Sequence, residues 1–382
     1  MAASAFLALP GAVDGSGPDA GVPAHYGNPL GEQRRLAAGE AIVDLSNRAV
    51  VSIGGPDRLS WLDSISSQRL IGLPPGESSE TLLLDANGHV EHAVRLIDDG
   101  ETLWLLIEGS QTEALLGFLQ RMRFMLRVEP ADRTAEFATI GFCARSNPAD
   151  GPLIDPAVSN GVPLNWHDPW QAVARGGHQY AVTDSHPGTG WTWTETLVPR
   201  AALAGLARRA ASGDLAVAGT IAVDALRIAA WRPRFATEVD AKTIPHELDW
   251  LRTAVHLSKG CYRGQETVAK VHNLGHPPRR LVLLHLDGSE GALPAPGSPV
   301  SIEREGEHRV VGQVTSSALH YELGPIALAI LKRSTDATAT LHVDAAGVDV
   351  AAAQELIVPT DAGAEANVPR LPRLGAVTRS KR

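Results

Sequence analysis

A single cysteine lies between two glycines and two cations in the segment KGCYRGQE, residues 259–266. The thiol of Cys261 could act as a nucleophile or as a soft ligand, because the thiolate is the reactive form of cysteine. Lys259 and Arg263 are close to it in sequence, and Gln265 can begin a helix. Cations and a helix N-terminus both stabilise a thiolate and lower the pKa of the thiol. This pattern predicts a reactive Cys261 supported by Lys259.

The same segment also allows a purely structural interpretation. Gly260 and Gly264 permit backbone conformations that other residues avoid. Cys261 could then be a small apolar side chain in a tight turn. The local chemistry leaves both interpretations open, and thiol reactivity distinguishes them, since a structural thiol reacts only after unfolding.

Composition sets the outer limits on function. The chain has 382 residues with 44% apolar content, which is enough for two or three packed units. A formal net charge of −9 gives no general attraction to phosphates, so strong nucleic-acid binding is not expected. Two cysteines fit a reducing compartment and predict a cytoplasmic location, but they cannot supply the thiolates of an ordinary iron–sulfur cluster. The chain shows neither a signal-peptide pattern nor an apolar run long enough for a membrane span, so no membrane association is expected.

The first part of the chain carries mixed strand and helix signals. An apolar run over residues 49–53 predicts a strand followed by a helix. Apolar runs on both sides of Asn87 and Gly88 predict a hairpin with a two-residue turn. Ser110 and Glu113 have the spacing of a capping box and predict a helix over residues 111–123.

The second part repeats this mixture and then changes to strands only. A strand near residues 179–183 and a helix opened by Pro199 predict a second mixed unit. From Arg280 onward, the short runs LVLLHL, PVSI, RVVGQVTS and IALAIL predict a small antiparallel barrel or sandwich.

These signals divide the chain into four parts. Residues 1–24 are expected to be a flexible leader, and residues 25–275 to hold two mixed subdomains. The segment 146–165, rich in Pro, Gly, Asn and Asp, marks the junction between these subdomains. Residues 276–360 form the predicted barrel, and residues 361–382 form a basic tail that is expected to be disordered.

The cysteine segment resembles the signature K-G-C-[FY]-x-G-Q-E of the YgfZ family, a branch of the folate-binding proteins related to the aminomethyltransferase GcvT. Residues 51–65, VSIGGPDRLSWLDSI, resemble the family's early G-x-D-x-x-x-[FY]-L element. The hairpin and the terminal barrel occur in the family's order, and the resemblance covers roughly residues 43–358. The resemblance makes the whole motif a candidate site, which consists of Lys259, Gly260, Cys261, Tyr262, Arg263, Gly264, Gln265 and Glu266.

The resemblance implies an α+β fold of the aminomethyltransferase-like cloverleaf type. Two mixed α/β subdomains and a C-terminal antiparallel β-barrel would surround a central folate channel. It also implies tetrahydrofolate or a derivative as cofactor, and iron–sulfur client or assembly proteins as partners. The implied role is support of iron–sulfur cluster assembly or repair in client enzymes, including enzymes that modify tRNA.

Two positions depart from the related enzymes. Aminomethyltransferases have an acid in the strand after the N-terminal hairpin turn, which works at the folate N5 position, whereas this chain has His92 and Ala93 there. The family also often reads R-I-E-A-G where residues 227–231 read RIAAW, so a glutamate suited to the pterin is absent. The departure at His92 and Ala93 predicts that the chain is not an active aminomethyltransferase.

Other residues could still contact a folate. Arg227, and more weakly Lys259, could meet the glutamyl carboxylates, and Trp231 could stack on the flat ring or simply belong to the core. Glu247 or Asp240 could replace the missing glutamate. A non-catalytic folate-sensing scaffold and a tetrahydrofolate-dependent aminomethyl or methyl transferase remain the alternative functions.

Rival chemistries have weaker support in the sequence. Histidines cluster around Cys261, but no pair has a familiar ligand spacing on a predicted helix, so no metal site is expected. These histidines are His246, His256, His272 and His276. A cysteine hydrolase would need a local signature that is missing, and Cys143, in the apolar run GFCA, is predicted to be core.

Overall fold

The computed structural model describes residues 3–145, 151–289 and 291–366. No helix in these ranges is both long and apolar enough to cross a bilayer. The basic residues of the predicted tail from position 367 onward, and residues 146–150 of the predicted junction, lie outside the described residues.

The N-terminal segment packs onto the rest of the fold, unlike the flexible leader expected from its composition. Phe6 is fully buried, and Asp19 accepts two hydrogen bonds of 2.8 Å from Arg234. These contacts fix the segment because they join it to residues far along the chain. Its elements are β1 (Val13–Asp14), β2 (Pro23–His25), α1 (Pro29–Ala37) and β3 (Ala41–Asp44).

The first subdomain is a five-stranded antiparallel sheet with two helices. Its elements are β4 (Ala49–Gly54), α2 (Arg58–Ile65), β5 (Ser78–Leu84), β6 (Val90–Asp98), β7 (Thr102–Ile107), α3 (Thr112–Met122) and β8 (Glu129–Asp132). The strand order is β5-β6-β7-β4-β8. Its core is apolar and includes the fully buried Ile53, Leu62 and Leu105.

The second subdomain is a five-stranded sheet of order β12-β13-β9-β3-β14 with the helices that follow it. Its elements are β9 (Phe137–Cys143), β10 (Val158–Ser159), β11 (Val162–Pro163), β12 (Asn165–His167), β13 (Trp193–Pro199), α4 (Leu203–Ala211), β14 (Ala216–Ala218), α5 (Thr220–Ala229), α6 (Phe235–Glu238) and α7 (Gln265–Leu274). The chain contributes β3 to this sheet before it builds the first one, and it returns at β9. The chain therefore crosses between subdomains before and after the first sheet, and the described part of the predicted junction, residues 151–165, falls inside the second subdomain.

The C-terminal unit is a closed barrel of six antiparallel strands in the order β15-β18-β17-β16-β19-β20. The strands are β15 (Arg279–Leu286), β16 (Pro299–Arg304), β17 (Glu307–His320), β18 (Gly324–Lys332), β19 (Leu341–Ala345) and β20 (Val348–Leu356). Pairing of β15 with β20 closes the barrel, which leaves no free sheet edge. The α+β fold class with a terminal antiparallel barrel is confirmed.

Three local predictions need correction. The predicted hairpin forms, but its connection spans residues 85–89, because Asp85 donates to the His89 carbonyl and only Gly88 takes a positive φ. Helix α3 forms without the expected capping box, since its first turn follows a 3₁₀ turn at Gly109–Gln111 and has no side-chain cap. Residues 179–183 form no strand, because Gln179 and the chain that follows bond to residues of other loops.

Candidate functional site

The cysteine loop, residues 259–266, packs against the tip of the β5–β6 hairpin. Gly264 has φ +84° and immediately precedes α7. A Cβ atom at Gly264 would lie 2.6 Å from the Asp85 carbonyl oxygen, and one at Gly88 would lie 2.8 Å from Cβ of Thr267. The loop and the hairpin therefore require glycine at both contact positions.

Within this loop the thiol and its neighbour face opposite environments. Cys261 is exposed, whereas Tyr262 is buried, and burial raises the pKa of its phenol. The buried ring fixes the loop, and Cys261 then presents its sulfur to solvent. This arrangement gives a reagent or partner direct access to the thiol.

The ammonium group of Lys259 anchors the cysteine loop to the end of α2. Its ammonium donates to the main-chain oxygens of Asp63, Ser66 (2.7 Å) and Gln68 (2.8 Å), at and just beyond the C-terminal end of α2. An ammonium has three N–H donors, so these carbonyls use all of them. Burial lowers the pKa of Lys259, and Asp63 at 3.5 Å opposes that shift. The expected support of the thiolate by Lys259 stays a prediction, since its observed contacts cap a helix.

The other motif side chains are also engaged in the fold. Arg263 donates to Glu91 on β6 at 2.8 Å, and both side chains remain partly exposed. Gln265 donates to the Lys259 carbonyl at 3.4 Å, and the exposed Glu266 lies in the first turn of α7. The loop is thus tied to both the hairpin and α7.

A second candidate site lies where the first two subdomains meet α5 and the chain that follows it. A cavity of about 40 Å³ opens between them, enough for about three water molecules at roughly 10–15 Å³ each. Its wall combines flat aromatic rings with charged groups. The lining aromatic residues are Trp191, Trp193, Phe235 and Trp250.

Arginines and carboxylates, most of them buried, form a network around this cavity. Arg232 donates to Glu80 at 2.6 Å and to Asp168 at 2.9 Å, and its guanidinium lies 5.0 Å from the ring of Trp170. The other ion pairs of this network are Arg48–Glu195, Arg95–Glu195, Arg95–Glu108, Arg234–Asp19, Arg234–Glu108, Arg234–Asp224, Arg227–Asp224 and Arg227–Glu238.

The arginines decide how these carboxylates titrate. Burial alone would raise the pKa of Glu108, but Arg234 and Arg48 hold that pKa well below its usual range. The same competition lowers the pKa of Glu195, next to Arg48 and Arg95. Both carboxylates are therefore ionised at neutral pH and act as acceptors.

The predicted folate contacts divide between the cavity and the surrounding core. Ala93 lines the cavity, whereas His92 turns away and pairs with Gln111 at 3.2 Å. Arg227 also lines the cavity, where it donates to Ser316 of the barrel at 2.7 Å. Ala93 thus places a methyl group, and no carboxylate, at this point of the cavity wall.

Trp231 and Glu247 have structural positions instead. Trp231 packs edge-on against His186 at 5.2 Å and has φ +59° directly after Ala230, the C-cap residue of α5, a position where glycine is common. Glu247 is fully buried and accepts two hydrogen bonds from Arg279, at the start of the barrel. Asp240, the other suggested substitute, also accepts from Arg279. These contacts hold the barrel against the chain that leads to the cysteine loop.

The histidines near Cys261 are committed to separate partners. His246 contacts the Val268 carbonyl at 3.0 Å, and His276 contacts that of Ala362 at 2.8 Å. His272 pairs with the Tyr180 hydroxyl at 3.1 Å, and His256 accepts from its own loop. In the described part of the chain they do not converge on a common metal position.

The sequence interpretation missed most of the cavity. Its charged residues come from distant segments, and only the pair Arg232 and Arg234 around Pro233 gave a signal, as two cations within the apolar run AAWRPRF. Two arginines within an apolar run must pair with buried partners, because unpaired cations would disrupt a hydrophobic core. The unrecognised carboxylates are Glu80, Glu108, Asp168 and Glu195.

Comparison with known proteins is consistent with this geometry. No family model matches the chain. The aminomethyltransferase of Symbiobacterium thermophilum is 26% identical over 309 residues, which cover 78% of this chain and 79% of that protein. The aminomethyltransferase of Rubrobacter xylanophilus is 25% identical over 319 residues and 82% of each chain. A crystal structure of the glycine cleavage system aminomethyltransferase T from Bartonella henselae superposes with a TM-score of 0.70 at 17% identity, and the match covers 92% of this chain and 94% of that one.

The chain has an aminomethyltransferase fold. Both candidate sites belong to that fold, the cavity among its subdomains and the cysteine loop at the hairpin tip.

Proposed function

We propose that this chain is a YgfZ-type, cytoplasmic protein that binds a reduced folate and supports iron–sulfur cluster assembly or repair in client enzymes. Cys261 supplies the working thiol, and tRNA-modifying enzymes are among the clients. The exposure of Cys261 on an anchored loop carries this proposal. A thiolate there can attack a disulfide or ligate a transferred metal ion, which is the chemistry that this role requires.

Aminomethyl transfer is the second candidate function, because the relatives named above are aminomethyltransferases. Ala93 argues against it, since the cavity wall has a methyl group at the position where the resemblance to aminomethyltransferases implies an acid that works on the folate. A positioned proton donor or acceptor contributes typically ~10² to 10⁴ in rate. Formation of methylene-tetrahydrofolate from an aminomethyl-carrier protein at enzymatic rates would favour this second candidate.

The residues around the cavity suit a folate chemically. Carboxylates such as Glu195 can accept from the pterin, Trp250 can stack on its ring, and Arg227 can meet a glutamyl carboxylate. The volume of about 40 Å³ is well below the roughly 300 Å³ of small ligand pockets. Binding therefore requires part of the arginine–carboxylate network to open, which predicts modest affinity. Calorimetry with a stabilised tetrahydrofolate analogue measures it, and absence of heat and of a thermal shift at millimolar ligand would refute the folate part.

Replacement of Cys261 by serine tests the thiol part. We expect Cys261→Ser to abolish support of a radical iron–sulfur enzyme in cells that lack the native protein, while the melting temperature is unchanged. Serine has nearly the same volume but no ionisable sulfur. Full activity in the serine variant would show that Cys261 is only a turn residue, and folate binding would then remain as the proposed function.

Cys143→Ser is the matched control, since Cys143 is buried and burial raises the pKa of its thiol to about 12. We expect this variant to keep its activity. In the folded wild type, iodoacetamide should label Cys261 alone, and Cys143 should react only after unfolding. Equal labelling of both thiols in the folded protein would contradict the distinction between them.

A further inference from the structure

Two histidines and an aspartate meet on the outer surface of the barrel, far along the chain from the cysteine loop. They are His308 on β17, His342 on β19 and Asp349 on β20. One donor atom from each residue lies within 4.8 Å of the donor atoms of the other two. Among the described residues, this is the only such group of three metal-ligating side chains.

The barrel strands place these side chains together. Leu341 and Val343 are buried inside the barrel, so the alternation of the strand directs His342 outward. Ser301 on β16 pairs with His342 on one side and with Val310 on the other, two residues from His308. The three ligands thus project from a rigid sheet, which positions side chains better than a loop does.

The contacts within the group match a metal-binding arrangement. His342 Nδ1 lies 2.9 Å from Asp349 Oδ2. The rings of His308 and His342 are edge-to-face with centroids 4.8 Å apart, and His308 Nδ1 lies 3.3 Å from Ser301 Oγ. Asp344 borders the same groove, so the surroundings favour a cation.

We propose that His308, His342 and Asp349 bind a divalent transition metal ion of the Zn²⁺ type. Two imidazole nitrogens and one carboxylate oxygen suit Zn²⁺, with water completing a four-coordinate site. Zn²⁺ bonds of roughly 2.0–2.2 Å bring tetrahedral ligand atoms to about 3.4 Å from one another. The donor atoms must therefore close by at most about 1.4 Å, which rotation of partly exposed side chains can supply. The ion would join β17 to the β19–β20 hairpin, independently of the folate cavity and of Cys261.

The test uses full-length, metal-free protein with the Cys261→Ser substitution, so that the exposed thiol does not compete for the metal. Calorimetry with Zn²⁺ should give one site per chain, and the melting temperature should rise with Zn²⁺ concentration because the ion binds only the folded site. Co²⁺ should give the visible absorption bands of a low-symmetry N/O site.

His308→Ala, His342→Ala and Asp349→Asn should each weaken Zn²⁺ binding by at least about tenfold. His285→Ala is the matched control, since His285 lies on the same barrel and its side chain pairs with Glu355 at 3.1 Å. It should leave Zn²⁺ affinity unchanged. No stoichiometric binding, or an equal loss of affinity in the control variant, would overturn the proposal.

Discussion

The cysteine loop exposes one thiol, and its Arg263 forms an ion pair that is open to solvent, whereas the central cavity is lined by five arginines, four of them buried, that pair with largely buried carboxylates. Arg263 and Glu91 form a partly exposed pair. Arg232 and Glu80 form a buried one, with both side chains no more than 6% exposed. An exposed pair is worth about 0–1 kcal/mol, but breaking a buried pair costs about 3–5 kcal/mol. The comparison indicates that the ion pairs around the cavity hold the subdomains together, whereas the thiol of the anchored cysteine loop stays accessible to reagents.

The largest expected effect is that of Arg232→Ala. This change leaves Glu80 and Asp168 buried without their cation, so the free energy of unfolding should fall by about 3–5 kcal/mol. Urea unfolding measures the loss. Arg263→Ala is the control and should cost less than about 1 kcal/mol. Similar losses in the two variants would contradict the difference between the regions.

An intermediate effect is expected for Lys259→Met, which keeps an apolar stem and removes the ammonium. The carbonyls at the end of α2 lose their buried donor, so stability should fall by about 1–3 kcal/mol. Urea unfolding is measured together with the alkylation rate of Cys261. If the lysine only anchors the loop, that rate should change less than about twofold. A much larger fall in the rate would show that the ammonium also supports the thiolate.

A third effect, which depends on pH, concerns Asp249, the residue that precedes the cavity residue Trp250. Glu108 and Asp249 are both buried, but in the described part of the chain Asp249 has no salt bridge, and burial raises its pKa from 3.8 to about 7. Between those two values the folded state holds a proton that the unfolded state has lost, so stability falls as pH rises from about 4 to 7. Asparagine should remove that slope and stabilise the protein at pH 8 by at least about 1 kcal/mol.

Asparagine is the suitable replacement for Asp249, because it keeps an acceptor for the Tyr180 amide and tolerates the left-handed φ of +54°. Unfolding curves collected from pH 4 to 8 provide the comparison with the wild type. An unchanged pH slope in Asp249→Asn would show that this carboxyl is ionised in the folded protein.

Much of the fold was predictable because its signals are local. Strand β4, the hairpin and the barrel strands β15–β18 carry apolar patterns within single short segments. The capping box at Ser110 and the strand near residue 180 were wrong, since tertiary contacts replaced the local preference. The subdomain junction was misplaced for a related reason, because β3 joins a sheet whose other strands come much later in the chain.

The sequence by itself determined the compositional limits on function, the barrel and the cysteine loop. The loop was recognisable because eight adjacent residues carry its motif. Only the tertiary structure decided which charges meet. Glu80 and Arg232 are 152 positions apart, and so no local pattern could join them. The same holds for Lys259. It lies two positions from Cys261 in the sequence, but its ammonium binds carbonyls about 190 residues away. The sequence specifies which side chains are charged. Which partner each charged side chain meets depends on how strands and helices bring distant segments together.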